Sequence, residues 1–226
     1  MGNIRELQKD LFQTVGRKLK EYGFTTTGNS GIFWRTTDFG RQTISLAPIN
    51  HPPTDFDVTV QLAIRFDRLE DLLNEQELNL TRAEKRDTHS LGVELGNLSE
   101  GRQRRWTVSG FDDIVPVAVS LGDSLRNWGL PYLDKYSDME TALEVLSRDD
   151  KTARLQSPFH DYRAKKAIGL AFLLGPRDRF LRLAVAKTEF LTARKDSGLA
   201  SFLRLKETLE QRLKNIASSN TETSTV

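Results

Sequence analysis

Apolar positions recur with two different periods along this chain. From Ile4 they fall at three- and four-residue steps, through Leu7, Leu11, Val15 and Leu19 to Tyr22, which places them on one face of a helix. Gly23 then stands where a helix end wants a left-handed residue. Further on the period is two. Phe56, Val58, Val60, Leu62, Ile64 and Phe66 alternate with Asp57, Thr59, Gln61, Ala63 and Arg65. That spacing predicts a strand with one apolar and one largely wet face, hence an antiparallel sheet covered on a single side. Shorter strands are expected at 32–35, 43–47, 91–95 and 103–109, with turns at 38–40 and 97–101. The loop carrying His51-Pro52-Pro53 leads into the long strand, and the polar stretch 75–90 reads as an exposed connection.

The helical period returns at 68–74 and again at 112–128, where Ile114, Val117, Ala118, Leu121, Leu125 and Trp128 form a stripe. Asp112 and Asp113 suit the positive end of that helix, and Gly129 and Pro131 are expected to end it. Ser137-Asp138-Met139-Glu140 reads as a capping box opening a helix over 138–147. Beyond the polar stretch 149–157 the pattern is helical throughout. Ala164, Ile168, Ala171 and Phe172 mark one helix, closed by Gly175. Pro176 opens a second with Phe180, Leu183, Ala184 and Leu191, and Ser197 a third with Leu199, Phe202, Leu209 and Leu213. The expectation is an α+β fold. An antiparallel sheet of about five strands packs one face against helices at 4–22 and 112–128. This α+β domain spans 1–148, a helical extension 149–216, and a Ser/Thr-rich disordered tail 217–226.

Residues 1–148 resemble an uncharacterised bacterial domain-of-unknown-function family. The likeness is carried by Gly23-Phe24 after the first helix, the aromatic strand Phe33-Trp34-Arg35 and the alternating strand from Asp57 to Phe66. Pro131-Tyr132-Leu133-Asp134 and Tyr136-Ser137-Asp138 complete it. The resemblance implies a fold and a bacterial origin, a setting in defence or toxin neutralisation, and no particular activity.

Composition narrows the chemistry. Of 226 residues 38% are apolar and 28% charged, enough for an ordinary core. There is no cysteine, which removes disulfides, thiolate metal sites and a cysteine nucleophile together. No apolar run is long enough to span a bilayer and the N-terminus has no continuous apolar region, so a cytoplasmic protein without membrane contact is expected. The formal charge of +2 is unevenly spread. Residues 1–149 hold 18 Lys/Arg against 23 Asp/Glu, a net of −5, whereas residues 150–215 hold 15 against 7, a net of +8.

Motifs for catalysis are missing. His51, His89 and His160 have no metal-ligand spacing, and Gly28-Asn29-Ser30-Gly31 lacks the lysine and helix of a phosphate loop. Asp55 and Asp57 flank Phe56 and point to one face, so they are the candidates for a hard-metal site. A wet sheet face is the better explanation of the pair, and no metal is expected. Arg177, Arg179, Arg182, Lys187 and Arg194 share one expected helix and form the candidate binding surface. Their helical positions are spread by roughly 60–80° to either side of Arg179, or nearly opposite it, and so do not make one phosphate-facing stripe. The reading that follows is a non-catalytic binding module that acts through a protein partner and needs no cofactor. Nucleic-acid binding through the basic helices is the alternative, and a metal-dependent hydrolase at Asp55 and Asp57 is the second. A homo-oligomer, with the basic segment against the acidic first half of another copy, fits the charge split as well.

Overall fold

The structure is a computed structural model and describes residues 3–222. In chain order the elements are α1 (Ile4–Leu19), β1 (Ile32–Thr37), β2 (Gly40–His51), β3 (Asp55–Phe66), α2 (Asp67–Asn74), α3 (Arg82–Asp87), β4 (Leu91–Glu94) and α4 (Leu95–Ser99). Then come β5 (Trp106–Val108), α5 (Ile114–Ser124), α6 (Leu130–Lys135), α7 (Met139–Ser147), α8 (Lys151–Gln156), α9 (His160–Leu174), α10 (Arg177–Ala193) and α11 (Leu199–Glu222). They form two compact units. Among the described residues, the first comprises 3–66 and 91–137, the second 67–90 and 138–222. The boundary expected near 149 thus falls inside the second unit, and 67–90 belongs with the C-terminal helices. The tail expected from 217 onward begins inside α11; residues 223–226 lie outside the described residues.

The first unit is an open five-stranded antiparallel sheet with helices on one side, the α+β architecture read from the sequence. β3 is central. β2 pairs along its whole length on one side, and β4 and β5 pair end to end on the other, opposite Gln61–Ile64 and Phe56–Val58 respectively. Leu7, Leu11, Val15 and Leu19 bring α1 to the core, where it packs on α5. A short 3-10 turn then ends at Gly23 with φ 81°, a backbone few other residues adopt. The apolar face of β3 is sealed, with Leu62 1% exposed and Val60 fully buried. Its opposite face departs from expectation. Gln61 is exposed, but Thr59 is 3% exposed and Arg65 is also buried. A central strand is flanked by neighbours on both sides, and these shield a short side chain such as Thr59 as an edge strand's would not.

Other local readings change for identifiable reasons. The helix beginning at Ile114 does not stop at Gly129 and Pro131. It widens into a π turn over Leu125–Gly129, whose last bond runs from Leu130 N to the Leu125 carbonyl, and continues as α6. A wide turn relieves the clash between the proline ring and the carbonyl four residues back, so Pro131 is accommodated without a break. The cap of α7 is Asp138, whose carboxylate accepts from Thr141 N at 2.8 Å; Ser137 Oγ instead donates to the Leu133 carbonyl at 2.6 Å. Residues 97–101, expected as a turn, are mostly inside α4, capped by Glu94. Gln42 is a polar side chain on the buried face of β2. It donates to the Leu133 carbonyl and Ser137 Oγ and accepts from Arg35 Nε, so its burial leaves no group unsatisfied.

The second unit is built around α9, in which every residue from Arg163 to Ala171 is buried. It packs against α2, α7, α10 and α11. Gly169 permits the approach of α2, since a Cβ there would lie 2.6 Å from Leu69 Cδ1. The fold makes a direct prediction about β3. Leu62→Ala should lower stability by about 2–5 kcal/mol in urea unfolding, whereas Gln61→Ala should stay within about 0.5 kcal/mol of the parent. Equal effects would contradict a one-sided core.

Candidate functional site

The cations of α10 do not form a common surface. Arg177, Arg182 and Arg194 are exposed, the last stacked over the Phe190 ring at 5.2 Å. Arg179 is half-buried and paired with Glu140. Lys187 corrects the sequence reading outright. It is 2% exposed, and its Nζ donates to Asp149 Oδ2 at 2.7 Å. The spacing 180, 184, 187, 191 puts Lys187 on the same stripe as Phe180, Ala184 and Leu191, all buried. That stripe was the signal to its position; only its partner was hidden. Asp149 also accepts from Arg163 at 3.0 Å, and Arg163 donates to the Ser157 and Arg148 carbonyls and contacts His160 Nδ1 at 2.8 Å. Burial, and then the charge of Arg163, hold the His160 pKa below its ordinary value. The neutral ring thus offers Nδ1 as an acceptor. This cluster is fully paired and structural in character.

Two carboxylates of the sheet, Asp57 and Glu94, are already engaged. Asp57 accepts from Thr107 Oγ1 at 2.7 Å and contacts His51 Nε2 at 3.1 Å and Arg105 at 3.5 Å. Asp55 lies across from His51 in the strand register. Glu94 turns to cap α4, accepting from Asn97 N, and also accepts from Arg104 N. Among the described residues no group of three or more His, Asp or Glu is arranged to hold a metal ion. The Thr107 hydrogen bond, outweighing desolvation, keeps the Asp57 pKa below its usual 3.8. The native state therefore favours the ionised form. Its contribution is complete above the unfolded value and is lost as pH falls through the lower folded one. Asp57→Asn should flatten the acid limb of stability below about pH 4, measured by urea unfolding across pH; an unchanged limb would show that the carboxylate makes no net contribution.

The second unit carries a groove of about 570 Å³. One wall comes from the segment 67–90 and carries Glu70, Glu77, Glu84 and Asp87. The stretch 75–90, expected as an exposed connection, instead contains a helix: Thr81 and Glu84 form a complete capping box and start α3. The other wall comes from the end of α8 and the start of α9, with Phe159, Tyr162, Lys165 and Lys166. Phe159 is 68% exposed and Tyr162 47%, their rings 6.3 Å apart in an edge arrangement. Lys165 sits over the Tyr162 ring at 4.8 Å and pairs with Glu77 at 3.4 Å.

Lys166 differs from its neighbour. It is 8% exposed and, among the described residues, has neither a hydrogen bond nor an ion pair. The opposite charge that acts on it is Glu70, whose carboxylate accepts from Ser90 Oγ at 2.8 Å. Burial lowers the pKa of Lys166, and the attraction of Glu70 does not cancel that effect. No signal in the sequence separates Lys166 from Lys165, because both lie in the same buried run of α9. Comparison with known proteins adds no further constraint: no family model, no curated protein and no solved structure matches the chain.

Proposed function

We propose that this chain is a binding module acting through a protein partner, and that the groove of its second unit receives an apolar segment of that partner carrying Lys or Arg. The observation that carries this reading is the exposed pair Phe159 and Tyr162 in the same groove as Glu70, Glu77, Glu84 and Asp87. Aromatic surface supplies most of the binding free energy at such sites. Four carboxylates against two lysines in the lining favour a cationic occupant. Nucleic acid is the weaker reading, since Lys187 is buried and Arg179 is paired with Glu140, which leaves three of the five selected cations exposed.

The test uses the full chain and two synthetic labelled peptides of equal length, one rich in Phe, Leu and Arg, the other with Glu in place of Arg. Fluorescence anisotropy should show binding of the first only. The double variant Phe159→Ala, Tyr162→Ala should weaken it by about tenfold or more, equivalent to about 1.4 kcal/mol, with unchanged thermal unfolding. Equal binding of both peptides, or an indifferent double variant, refutes the groove reading. Tight duplex DNA binding with a steep salt dependence would replace it with the nucleic-acid reading.

A further inference from the structure

We propose that Lys166 is the nucleophilic amine of a carbonyl-capture site, condensing with an aldehyde carried on an apolar or aromatic body that fits the groove. Three observations support it. First, the side chain is more than nine-tenths buried and lines the groove. Second, the other buried lysines of this unit are neutralised by contact: Lys165 by Glu77 and Asp161, at 3.4 and 3.9 Å, and Lys187 by Asp149 at 2.7 Å. Lys166 alone among the three lacks such a contact. Third, desolvation without a compensating partner favours the neutral amine, whose lone pair is the nucleophile. A structural lysine is ordinarily paired when buried, and this one is not.

The reaction balances without a further reagent. The neutral amine nitrogen attacks the carbonyl carbon, and a C–N bond forms. Nitrogen then sheds both its protons and the carbonyl oxygen leaves with them as water, giving an imine. An anion held by a charged Lys166 is the competing idea. It is disfavoured because Glu70, Glu77, Glu84 and Asp87 line the same groove and repel one. A neutral aldehyde meets no such repulsion.

This inference stands apart from the peptide reading, since a covalent adduct and a reversible peptide complex are read by different measurements. The probe is benzaldehyde, with cyanoborohydride to reduce the imine to a stable secondary amine, applied to the full chain at neutral pH. Peptide mass spectrometry then follows the rate at each lysine. Lys166 should be modified at least about tenfold faster than the exposed Lys9 and Lys151 and should saturate with benzaldehyde concentration, as expected where the apolar body is held before reaction. Labelling of Lys166 no faster than of those two overturns the proposal. A second readout uses Lys166→Met, which replaces an uncompensated amine by an apolar side chain of similar length. Its Tm should rise, because residues kept for chemistry commonly cost stability. A lower Tm would show that the amine has a structural role and would also overturn the proposal.

Discussion

Strand β3 is the constraint on which the first unit depends. Its twelve residues bury one face, so every backbone N–H and C=O along it must find a partner in a neighbouring strand. β2 meets that demand in full on one side. On the other, two short strands share it, β5 at the beginning and β4 near the end. The helices that cover the apolar face follow from the same demand, since Phe56 through Phe66 leave a continuous hydrophobic surface to be removed from water. Gln42 shows how the arrangement tolerates polarity: a buried amide is retained where Leu133, Ser137 and Arg35 satisfy all of it.

In the second unit α9 has the corresponding position, and charge makes the contrast. A helix buried on all sides is ordinarily apolar, yet α9 carries Arg163, Lys165 and Lys166. Arg163 is matched by Asp149 and two carbonyls, and Lys165 by two carboxylates. Those pairings convert costly burials into fixed geometry. Lys166 is left with the charge of Glu70 but no direct pairing, in the lining of the concavity where Phe159 and Tyr162 are exposed. An unpaired amine and an uncovered aromatic pair in one place are what a completed core would have removed.

The charge split along the chain takes on a different meaning in three dimensions. The basic C-terminal region looked like a surface for an acidic partner. Much of that complementarity is internal: the segment 67–90 holds seven acids against four bases and folds with the basic helices. Glu75 meets Arg212, Glu77 meets Lys165, and Glu140 and Asp149 meet Arg179 and Lys187. Charge counted along a sequence reports proximity in the chain, whereas Coulomb interactions act through space.

The sequence by itself determined the elements whose signal is periodic and local. The stripe of α1, the alternation of β3, the stop at Gly23 and the stripe of α10 all follow from side-chain spacing and backbone sterics, which depend on few neighbours. It determined the α+β class for the same reason. Where a second element enters, the tertiary structure decided. Thr59 is buried because β3 is central, and Pro131 stays inside a helix because a π turn absorbs it. Lys187 is interior because Asp149, 38 residues away, faces it. The groove is of this second kind throughout. Its walls come from stretches of chain separated by some seventy residues, and one of them, 75–90, has too little apolar content to announce a role. Whether a lysine there is paired or left open is a matter of what folds against it, and two adjacent lysines in one helix receive opposite answers because consecutive positions point about 100° apart.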